Sequence, residues 1–340
     1  MRPEPFKKWT RPLRLQIEWM RRVLPRHSGL RLSVTVDQSP LTTAQWMLVQ
    51  LRREGRRLNV NLCSREELAQ PAPFYLYGMF LPVALHLFSR APAGVTEAIA
   101  DISDGSSKPS DHMLFSGNFD DAVLIPDPEF FNARAYRSLR ARLPSQRPWA
   151  ERSDKIVYRG ATSGKGLRPH EATDLLAKDT LPRIRLCAML ASTPKTDVKI
   201  YRIVQSAEPG RDEAMLREAG LMGGLTPTES WLDAKFALDI DGNTNAWSNF
   251  YTRLLMGCCV LKVASPAGFR QWYYDRLEPY VHYVPVRADL SDLHDRIDWC
   301  RSNEADCARI AAVGQALALS MTIESEMAKG IARISERLGC

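Results

Sequence analysis

A glycine-rich loop near the middle of the chain carries residue types that bind phosphate. It reads Gly160-Ala-Thr-Ser-Gly-Lys-Gly166 and follows Lys155–Tyr158, which predicts a buried strand. A nucleoside-triphosphate P-loop is excluded, because three residues instead of four separate the first two glycines and Gly166 follows the lysine. Backbone N–H groups, a helix start and the cations of Lys165 and Arg168 still suit a diphosphate. A plain surface loop is the alternative.

A second polar cluster follows another predicted strand, Leu238–Ile240. It reads Asp241-Gly-Asn-Thr-Asn-Ala-Trp247 and leads into a predicted helix. At the carboxyl edge of a parallel sheet, such a loop lies where ligands bind in α/β folds. Two alternatives stay open, since Asp239 and Asp241 have the spacing of a metal-binding DxD pair and the same residue types are common in turns and helix caps. The side chains able to hydrogen-bond a nucleotide-sugar are Asn243, Thr244 and Asn245.

One acidic residue in the first half of the chain is a candidate general base. Asp104 follows Val95–Ile102, which reads as a strand running into the loop Asp101–Gly105. A carboxylate that projects from a strand end into a cleft can take a proton from an attacking hydroxyl. An Asp-Gly pair is also typical of a turn, so both interpretations stay open.

The basic residues are concentrated at the N-terminus. The first 60 residues hold 13 Lys and Arg against 4 Asp and Glu, whereas the remaining 280 hold 33 against 35. Residues 7–26 combine these cations with Trp9, Trp19 and aliphatic side chains, which is typical of a helix on an anionic membrane. A basic helix packed on its own domain is the alternative. Because the rest of the chain is near neutral, nucleic-acid binding is disfavoured.

The composition excludes several classes of protein. With 45% hydrophobic and 25% charged residues, the chain is globular rather than disordered or fibrous. No apolar run reaches the about 20 residues of a membrane-spanning helix. The N-terminus lacks a signal-peptide pattern, so we expect a cytoplasmic protein, with residues 1–30 as a possible peripheral contact to the inner face of the cytoplasmic membrane. The seven cysteines show neither CxxC nor zinc spacing, which predicts reduced thiols and no metal site.

Short apolar runs alternate with helical stretches along the chain, which predicts an α/β fold with mostly parallel sheets. Two domains are expected from the length and from a proline-bounded linker at 144–148, with limits of 1–148 and 149–320. A final helix at 321–340 could pack back on the first domain. Further strands are predicted at 30–36, 58–62, 122–125, 198–203, 260–263 and 281–286, and helices at 130–142, 169–177, 229–237, 290–300, 304–319 and 323–338.

The order of these blocks resembles glycosyltransferase family 90. This family includes the Rumi-type protein O-glucosyltransferases, the fungal capsule xylosyltransferases and bacterial lipopolysaccharide-modifying relatives. The resemblance covers about residues 95–320, and its most specific block is LEPYVHYVPVRADLSDL at 277–293. The other matching pieces are Tyr158–Gly160, Arg168, Asp233–Gly242, Leu254–Lys262 and the closing helix from Trp299.

The resemblance implies a GT-B architecture, in which two Rossmann-like domains face each other across the active-site cleft. The first domain would hold the acceptor and the second the donor, which in this family is commonly a UDP-sugar. It also implies inversion at the anomeric carbon with no metal or other cofactor, and a general base that maps onto Asp104. Together with neighbouring polar groups, the predicted donor site comprises Arg159, Gly160, Thr162, Ser163, Lys165, Arg168, Lys235, Asp241, Gly242, Asn243, Thr244, Asn245 and Trp247.

One departure from the family concerns the phosphates. Eukaryotic members carry a Ser-x-Arg pair in the loop after the Asp-Gly, whereas Asn245–Asn249 contains no arginine, as in the bacterial branch. We therefore expect an inverting transferase that moves a sugar from a UDP-sugar to a hydroxyl of a glycan or glycolipid, such as lipopolysaccharide core or capsule. The alternatives are an inactive nucleotide-binding scaffold on the same fold and, less favoured, a nucleic-acid-binding protein that uses its basic N-terminus.

Overall fold

The computed structural model describes residues 30–36, 47–62 and 71–339. Nearly all of the predicted basic, membrane-facing segment lies outside these described residues, and so do Cys63 and Cys340. No helix within the described ranges combines the length and hydrophobicity needed to cross a lipid bilayer.

The described residues divide into two compact units. The first unit contains the residues up to Ala135, together with Arg270–Tyr273 and the chain from Thr322 onward. The second unit contains Tyr136–Phe269 and Tyr274–Met321. The domain limits expected from the sequence, 1–148, 149–320 and 321–340, stay predictions.

The first unit is built around a six-stranded mixed sheet. Its β2 and β3 form an antiparallel hairpin that turns at Gly55, where φ is +55°. The sequence pattern predicts β1, β3 and β4 but misses β2, because the charged run Arg52–Glu54 hides its alternation. The strands are β1 (Arg31–Val36), β2 (Leu48–Glu54), β3 (Arg57–Leu62), β4 (Glu97–Asp101), β5 (Met113–Leu114) and β6 (Val123–Leu124), in the spatial order β1-β3-β2-β4-β5-β6.

Three helices of the described residues precede β7 (Ser153–Ala161) in the chain. They are α1 (Pro71–Arg90), α2 (Pro128–Asn132) and α3 (Arg137–Arg140). The single helix predicted at 130–142 is wrong, because Arg134, Ala135 and Tyr136 have left-handed φ values of 50°, 52° and 57° that separate α2 from α3. The helix α1 was not predicted.

The second unit contains a five-stranded sheet in which every neighbouring pair is parallel. Both units thus combine a sheet with helices, which confirms the predicted α/β class with Rossmann-like units. The strands are β7 (Ser153–Ala161), β8 (Thr196–Arg202), β9 (Ala234–Asp239), β10 (Cys259–Val263) and β11 (Val284–Val286), in the spatial order β11-β10-β9-β7-β8. The helices are α4 (Pro182–Leu190), α5 (Pro209–Glu218), α6 (Ser248–Leu255), α7 (Leu293–Ser302) and α8 (Glu304–Ser320).

The core of the second unit explains why its central strands read as apolar runs. All six residues of β9 and all five of β10 are buried, as expected for parallel strands covered on both faces. Side chains of α4, α7 and α8 complete the same hydrophobic cluster. Burial of this kind stabilises the unit by about 25 cal/mol for each Å² of apolar surface removed from water.

Two helices predicted in the second unit are wrong. Residues 169–177 form turns because Asp174 accepts two local hydrogen bonds. Its side-chain carboxylate accepts the Leu176 N–H at 2.9 Å, and its backbone carbonyl accepts the Thr180 hydroxyl at 2.8 Å. Residues 229–237 split into a 3₁₀ turn at Thr228–Asp233 and the start of β9. The helices α4 and α5, in contrast, were not predicted.

The last helix, α9 (Ile323–Leu338), belongs to the first unit. It begins with a capping box between Thr322 and Ser325. A Cβ atom on Gly330 would lie 3.0 Å from the Leu87 side chain of α1, so this glycine lets the two helices approach closely.

Candidate active site

The strand order of the second unit creates one crevice at the carboxyl edge of its sheet. The chain passes from β7 to β8 on one side and then returns to place β9 on the other side of β7. The loops that leave β7 and β9 therefore diverge in opposite directions. Ligands of α/β sheets bind at such a topological switch point. Both glycine-containing loops predicted from the sequence begin there.

The two loops are in direct contact because both carry glycine where they meet. The Gly164 N–H donates to the Asn243 Oδ1 at 3.1 Å. A Cβ atom on Gly164 would lie 3.3 Å from the Gly242 carbonyl oxygen, and one on Gly242 would lie 2.7 Å from the Ser163 Oγ. Gly164 also has a φ of +127°, which disfavours any side chain. We call the space lined by residues 162–166 and 240–247 the donor crevice.

Arg183 lies on the first turn of α4, and its buried guanidinium group joins the two loops by hydrogen bonds. Its Nη1 donates to the Ser163 Oγ at 2.7 Å, while its Nε and Nη2 donate to the carbonyls of Asp241 and Ile240 at 3.0 and 3.1 Å. Arg183 was not predicted as a site residue. The local sequence shows only an arginine directly after the proline that starts a helix. Arginine is common at this position in surface helices, so the pattern does not indicate a site residue.

The side chains of Arg168 and Thr162 hold the glycine-rich loop in place. Arg168 donates from Nη1 to the Thr162 carbonyl and from Nη2 to the Gly164 carbonyl, the latter at 3.2 Å. The buried Thr162 hydroxyl donates to the Val204 carbonyl and accepts the Val204 N–H, both at 2.8 Å. The loop is therefore tied to the end of β8, and it is ordered by specific contacts rather than being a plain surface loop.

Lys165 lies at the exposed tip of the glycine-rich loop, between Gly164 and Gly166. Gly166 has a φ of +139°, and a Cβ atom there would lie 2.8 Å from the Leu181 Cα, so only glycine fits. Within the part of the chain that the structure describes, no carboxylate forms a salt bridge with the side chain of Lys165, Arg168 or Arg183. The guanidinium groups of Arg168 and Arg183 donate only to carbonyl and hydroxyl oxygens, while the Glu171 carboxylate accepts the Arg168 backbone N–H at 2.7 Å. No salt bridge therefore neutralises these three cations there.

Arg159 and Lys235, two predicted donor cations, have carboxylate partners instead. Arg159 forms a bidentate pair with Asp197 at 2.7 and 2.8 Å, and its Nε donates to the Gly224 carbonyl. Lys235 lies at the start of β9, and its ammonium nitrogen is 2.5 Å from the Glu304 Oε1. Since a strand rises about 3.3 Å per residue, Lys235 is about 13 Å along β9 from Asp239, the last residue of the strand. The structure does not bring Lys235 to the donor crevice.

Gly160 is required by its neighbour Tyr158 rather than by a phosphate. A Cβ atom on Gly160 would lie 2.0 Å from the Tyr158 hydroxyl oxygen, which is on the same face of β7. Burial raises the pKa of Tyr158 above its ordinary value. The Tyr-Arg-Gly sequence is thus explained locally by packing of the tyrosine ring and by the ion pair of the arginine.

The Asp239 and Asp241 pair encloses a lysine. The Lys262 ammonium group, at the carboxyl half of β10, lies 2.7 Å from Asp239 and 2.8 Å from Asp241, and all three side chains are buried. Burial alone would lower the pKa of Lys262, but the two carboxylates raise it above its ordinary value. Burial raises the pKa of Asp241, while Lys262 opposes that shift. The position between the two aspartates is occupied by the ammonium group. Lys262 was missed as a site residue.

The second loop ends in a strained residue at the start of α6. Trp247 has φ 50° and ψ −124°, which is unfavourable for a residue with a side chain, and its N–H donates to the Asn245 Oδ1 at 3.0 Å. Thr244 and Asn245 are buried, whereas Asn243 and Trp247 are half-buried. The predicted helix start near Trp247 is confirmed, because α6 begins at Ser248, directly after this loop.

Asp104, the predicted base, lies in the first unit, three residues after β4 ends at Asp101. It is half-buried between Ser103 and Gly105. Gly105 has a φ of +148°, and a Cβ atom there would lie 2.9 Å from the Ser116 Cβ. The turn that carries Asp104 is therefore closely packed, and the strand predicted before it is confirmed as β4.

Comparison with known proteins identifies relatives of the second unit. The family described as Glycosyl transferase family 90 matches residues 132–325. Uncharacterized protein 035R of Invertebrate iridescent virus 3 is 35% identical over 167 residues, which cover 48% of this chain and 14% of that protein. Human protein O-glucosyltransferase 3 is 35% identical over 107 residues, which cover 31% of this chain and 20% of that protein. The matched stretch thus spans a fifth or less of these two relatives.

Two solved structures show a weaker likeness. Anabaena Alr3699/HepE, crystallised in complex with UDP-glucose, is 15% identical with a TM-score of 0.34, covering 65% of this chain and 55% of that one. The catalytic domain of cholesterol-alpha-glucosyltransferase from Helicobacter pylori is 13% identical with a TM-score of 0.34, covering 49% of this chain and 99% of that one. TM-scores of this size do not establish a shared fold.

Proposed function

Because the chain belongs to glycosyl transferase family 90 and is a glycosyltransferase, we propose that it transfers a sugar from a UDP-sugar to a hydroxyl of a glycan or glycolipid. The observation that carries this proposal is the donor crevice. Its loops are locked together by glycine contacts and by Arg183, and its cations have no carboxylate partner among the described residues. A site with uncompensated positive charge at a switch point suits a diphosphate.

Three features would hold the diphosphate in the donor crevice. Lys165 and Arg168 supply positive charge from the β7 loop, and charge-assisted hydrogen bonds to phosphate are the strong ones. The N-terminus of α6 at Ser248 adds the positive end of a helix dipole. The polar side chains of residues 243–245 then lie beside the sugar. Arg159 and Lys235 do not contact the diphosphate in this proposal, since Asp197 and Glu304 neutralise them.

The proposed position of the nucleoside is a cavity beside the glycine-rich loop. A cavity of about 630 Å³ lies where β8 ends and α5 begins, and its walls include Tyr201, Ile203 and Met222. The Thr162 N–H donates to the Arg202 carbonyl at 3.1 Å, so the glycine-rich loop borders the same strand end. Cavities of about 300–1,000 Å³ hold ligands of nucleotide size. A base and ribose in the cavity would leave the phosphates at Lys165 and Arg168.

The proposed reaction is a direct displacement that inverts the anomeric carbon. Asp104 takes the proton of the acceptor hydroxyl as its oxygen bonds to the anomeric carbon, and the bond from that carbon to the diphosphate breaks. The charge that develops on the departing UDP is stabilised by Lys165, Arg168 and the α6 N-terminus. The role of Asp104 and the inversion rest on the family resemblance.

We propose that transfer requires no metal ion. The support is the Lys262 ammonium group, which lies between Asp239 and Asp241 where a cation bound to a DxD pair would have to lie. The acceptor class, lipopolysaccharide core or a capsule-like glycan, and the contact of residues 1–30 with an anionic membrane are part of the same proposal, and they rest on the resemblance and on the N-terminal charge.

The test is a UDP-release assay with a panel of UDP-sugars, run with and without EDTA. We expect release from one donor, undiminished by EDTA, and a fall of at least tenfold in Arg168→Gln. Lys178→Ala changes an exposed lysine of the same 162–181 segment and should release UDP like wild type. No release or nucleotide binding with any donor would contradict the proposal, and loss of activity in EDTA would contradict its metal-independent part.

A further inference from the structure

Three cysteines from separate elements of the second unit converge in its core. Cys259 begins β10, Cys300 lies on α7 and Cys307 lies on the first turn of α8. Their side chains are 0%, 1% and 0% exposed. All three Sγ atoms lie within 4.8 Å of one another. We call these three residues the thiol cluster. The mechanism proposed for glycosyl transfer does not use them.

The fold determines this convergence, and the neighbouring cysteine does not share it. The Cys307 N–H donates to the Asn303 carbonyl and its Sγ lies 3.6 Å from the Cys300 carbonyl, so the α7–α8 junction places both thiols at β10. Cys258 is also buried, but its Sγ lies near the carbonyls of Trp231 and Ala234 instead.

We propose that Cys259, Cys300 and Cys307 form a binding site for a soft metal ion, and that Cu(I) is the ion they fit best. Thiolate sulfur is the ligand that soft ions such as Cu(I) select. A metal–sulfur bond of about 2.3 Å requires sulfurs about 4 Å apart in a trigonal site, so small side-chain rotations suffice.

The number of ligands separates Cu(I) from Zn(II). Structural zinc sites have four protein ligands, whereas no fourth Cys, His, Asp or Glu joins the thiol cluster among the residues that the structure describes. Full burial of the three side chains also leaves no exposed position for a water ligand. A three-coordinate ion therefore suits the cluster better than a tetrahedral one. Loading would displace thiol protons and would link the start of β10 to α7 and α8.

The experiment is an anaerobic titration of the reduced full chain with Cu(I), in competition with a Cu(I)-binding dye. Cu(I) is added both to folded protein and during refolding, because the sulfurs are buried. We expect one equivalent per chain, three sulfur neighbours by X-ray absorption, and a melting temperature that rises with free Cu(I). Zn(II) alone is the comparison ion. Tighter binding of Zn(II) with four ligands would overturn the Cu(I) assignment.

The matched variants are Cys259→Ala and Cys258→Ala, which remove adjacent buried thiols. Cys259→Ala should weaken Cu(I) binding at least tenfold, while Cys258→Ala should bind like wild type. Equal effects of the two variants, or no binding by wild type, would overturn the proposal. If Cys259→Ala does not fold, the rate of alkylation of wild type in urea that partly opens the core decides. Cu(I) should slow the alkylation of Cys259, Cys300 and Cys307 relative to the equally buried Cys187, and equal slowing of all four thiols, or none, would refute the site.

Discussion

Replacing Lys262 with methionine tests the interpretation of the buried charges beside the donor crevice. The ammonium group lies 2.7 and 2.8 Å from two buried carboxylates, and its side chain is 8% exposed. Removing one partner of a buried ion pair leaves uncompensated charge and costs about 3–5 kcal/mol. We expect Lys262→Met to lower the free energy of unfolding by that amount at neutral pH, measured by urea denaturation.

The pH dependence of that loss identifies its cause. Burial raises the pKa of the Asp241 carboxyl and Lys262 opposes that shift, so without Lys262 the folded state takes up a proton more readily as the pH falls. The cost of Lys262→Met should therefore be smaller at pH 5 than at pH 8. In the wild type, the pKa of Lys262 is raised above its ordinary value, so the loss of its charge lowers stability only at high pH. Its stabilising contribution is complete below the ordinary lysine pKa and is lost as the pH rises through the folded value.

Two controls complete this measurement. Lys155→Met changes an exposed lysine on β7 and should alter stability by no more than about 0.5 kcal/mol. The triple variant Asp239→Asn, Asp241→Asn, Lys262→Met removes all three charges and should recover part of the loss. A cost below about 1 kcal/mol for Lys262→Met, or a cost that does not change with pH, would refute the charge argument.

Three further predictions concern the donor crevice and the base. Arg183→Met removes the hydrogen bonds that join the two loops, so urea denaturation should show a loss of about 2–3 kcal/mol; an unchanged stability would contradict the bridging role. Gly242→Ala places a Cβ atom 2.7 Å from the Ser163 Oγ and should weaken UDP binding in calorimetry at least tenfold, whereas Gly94→Ala, with nothing within 4 Å, should not. Asp104→Asn should lower the rate of transfer by about 10²–10⁴ with UDP affinity retained, and near-wild-type transfer would refute the base assignment.

The two loops of the crevice could be located from the sequence because each has a local signature. A buried strand followed by small and polar residues stands out in Gly160–Gly166 and in Asp241–Trp247. Their mutual contact could not be predicted. It depends on β9 pairing with β7, although β8 lies between them in the chain, and strand order of this kind leaves no local pattern.

The charged residues show where sequence reasoning stops. Arg159 and Lys235 were predicted to bind the donor, but their charge is neutralised by partners 38 and 69 residues away along the chain. Arg183 and Lys262 were missed, since their partner Asp241 is 58 and 21 residues distant. A motif identifies residue types, whereas the charge that a ligand meets depends on these long-range pairs.

The thiol cluster was not predicted for a similar reason, since it depends on packing that leaves no local pattern in the sequence. The sequence predicted reduced thiols and no metal site because no two cysteines have metal-ligand spacing. The thiol cluster forms only when β10 packs against α7 and α8, which brings Cys259 to two thiols that lie more than 40 residues later in the chain.

The affinity of the chain for UDP, measured by calorimetry in wild type, Lys165→Ala and Lys178→Ala, tests the donor crevice most directly. Lys165 lies at the tip of the glycine-rich loop with no carboxylate partner among the described residues, and Lys178 is an exposed lysine of the following turns. The crevice predicts that wild type and Lys178→Ala bind UDP equally and that Lys165→Ala binds about tenfold more weakly, the loss of one phosphate contact of about 1.4 kcal/mol. Equal affinity in Lys165→Ala and wild type, or no UDP binding by wild type, would contradict it.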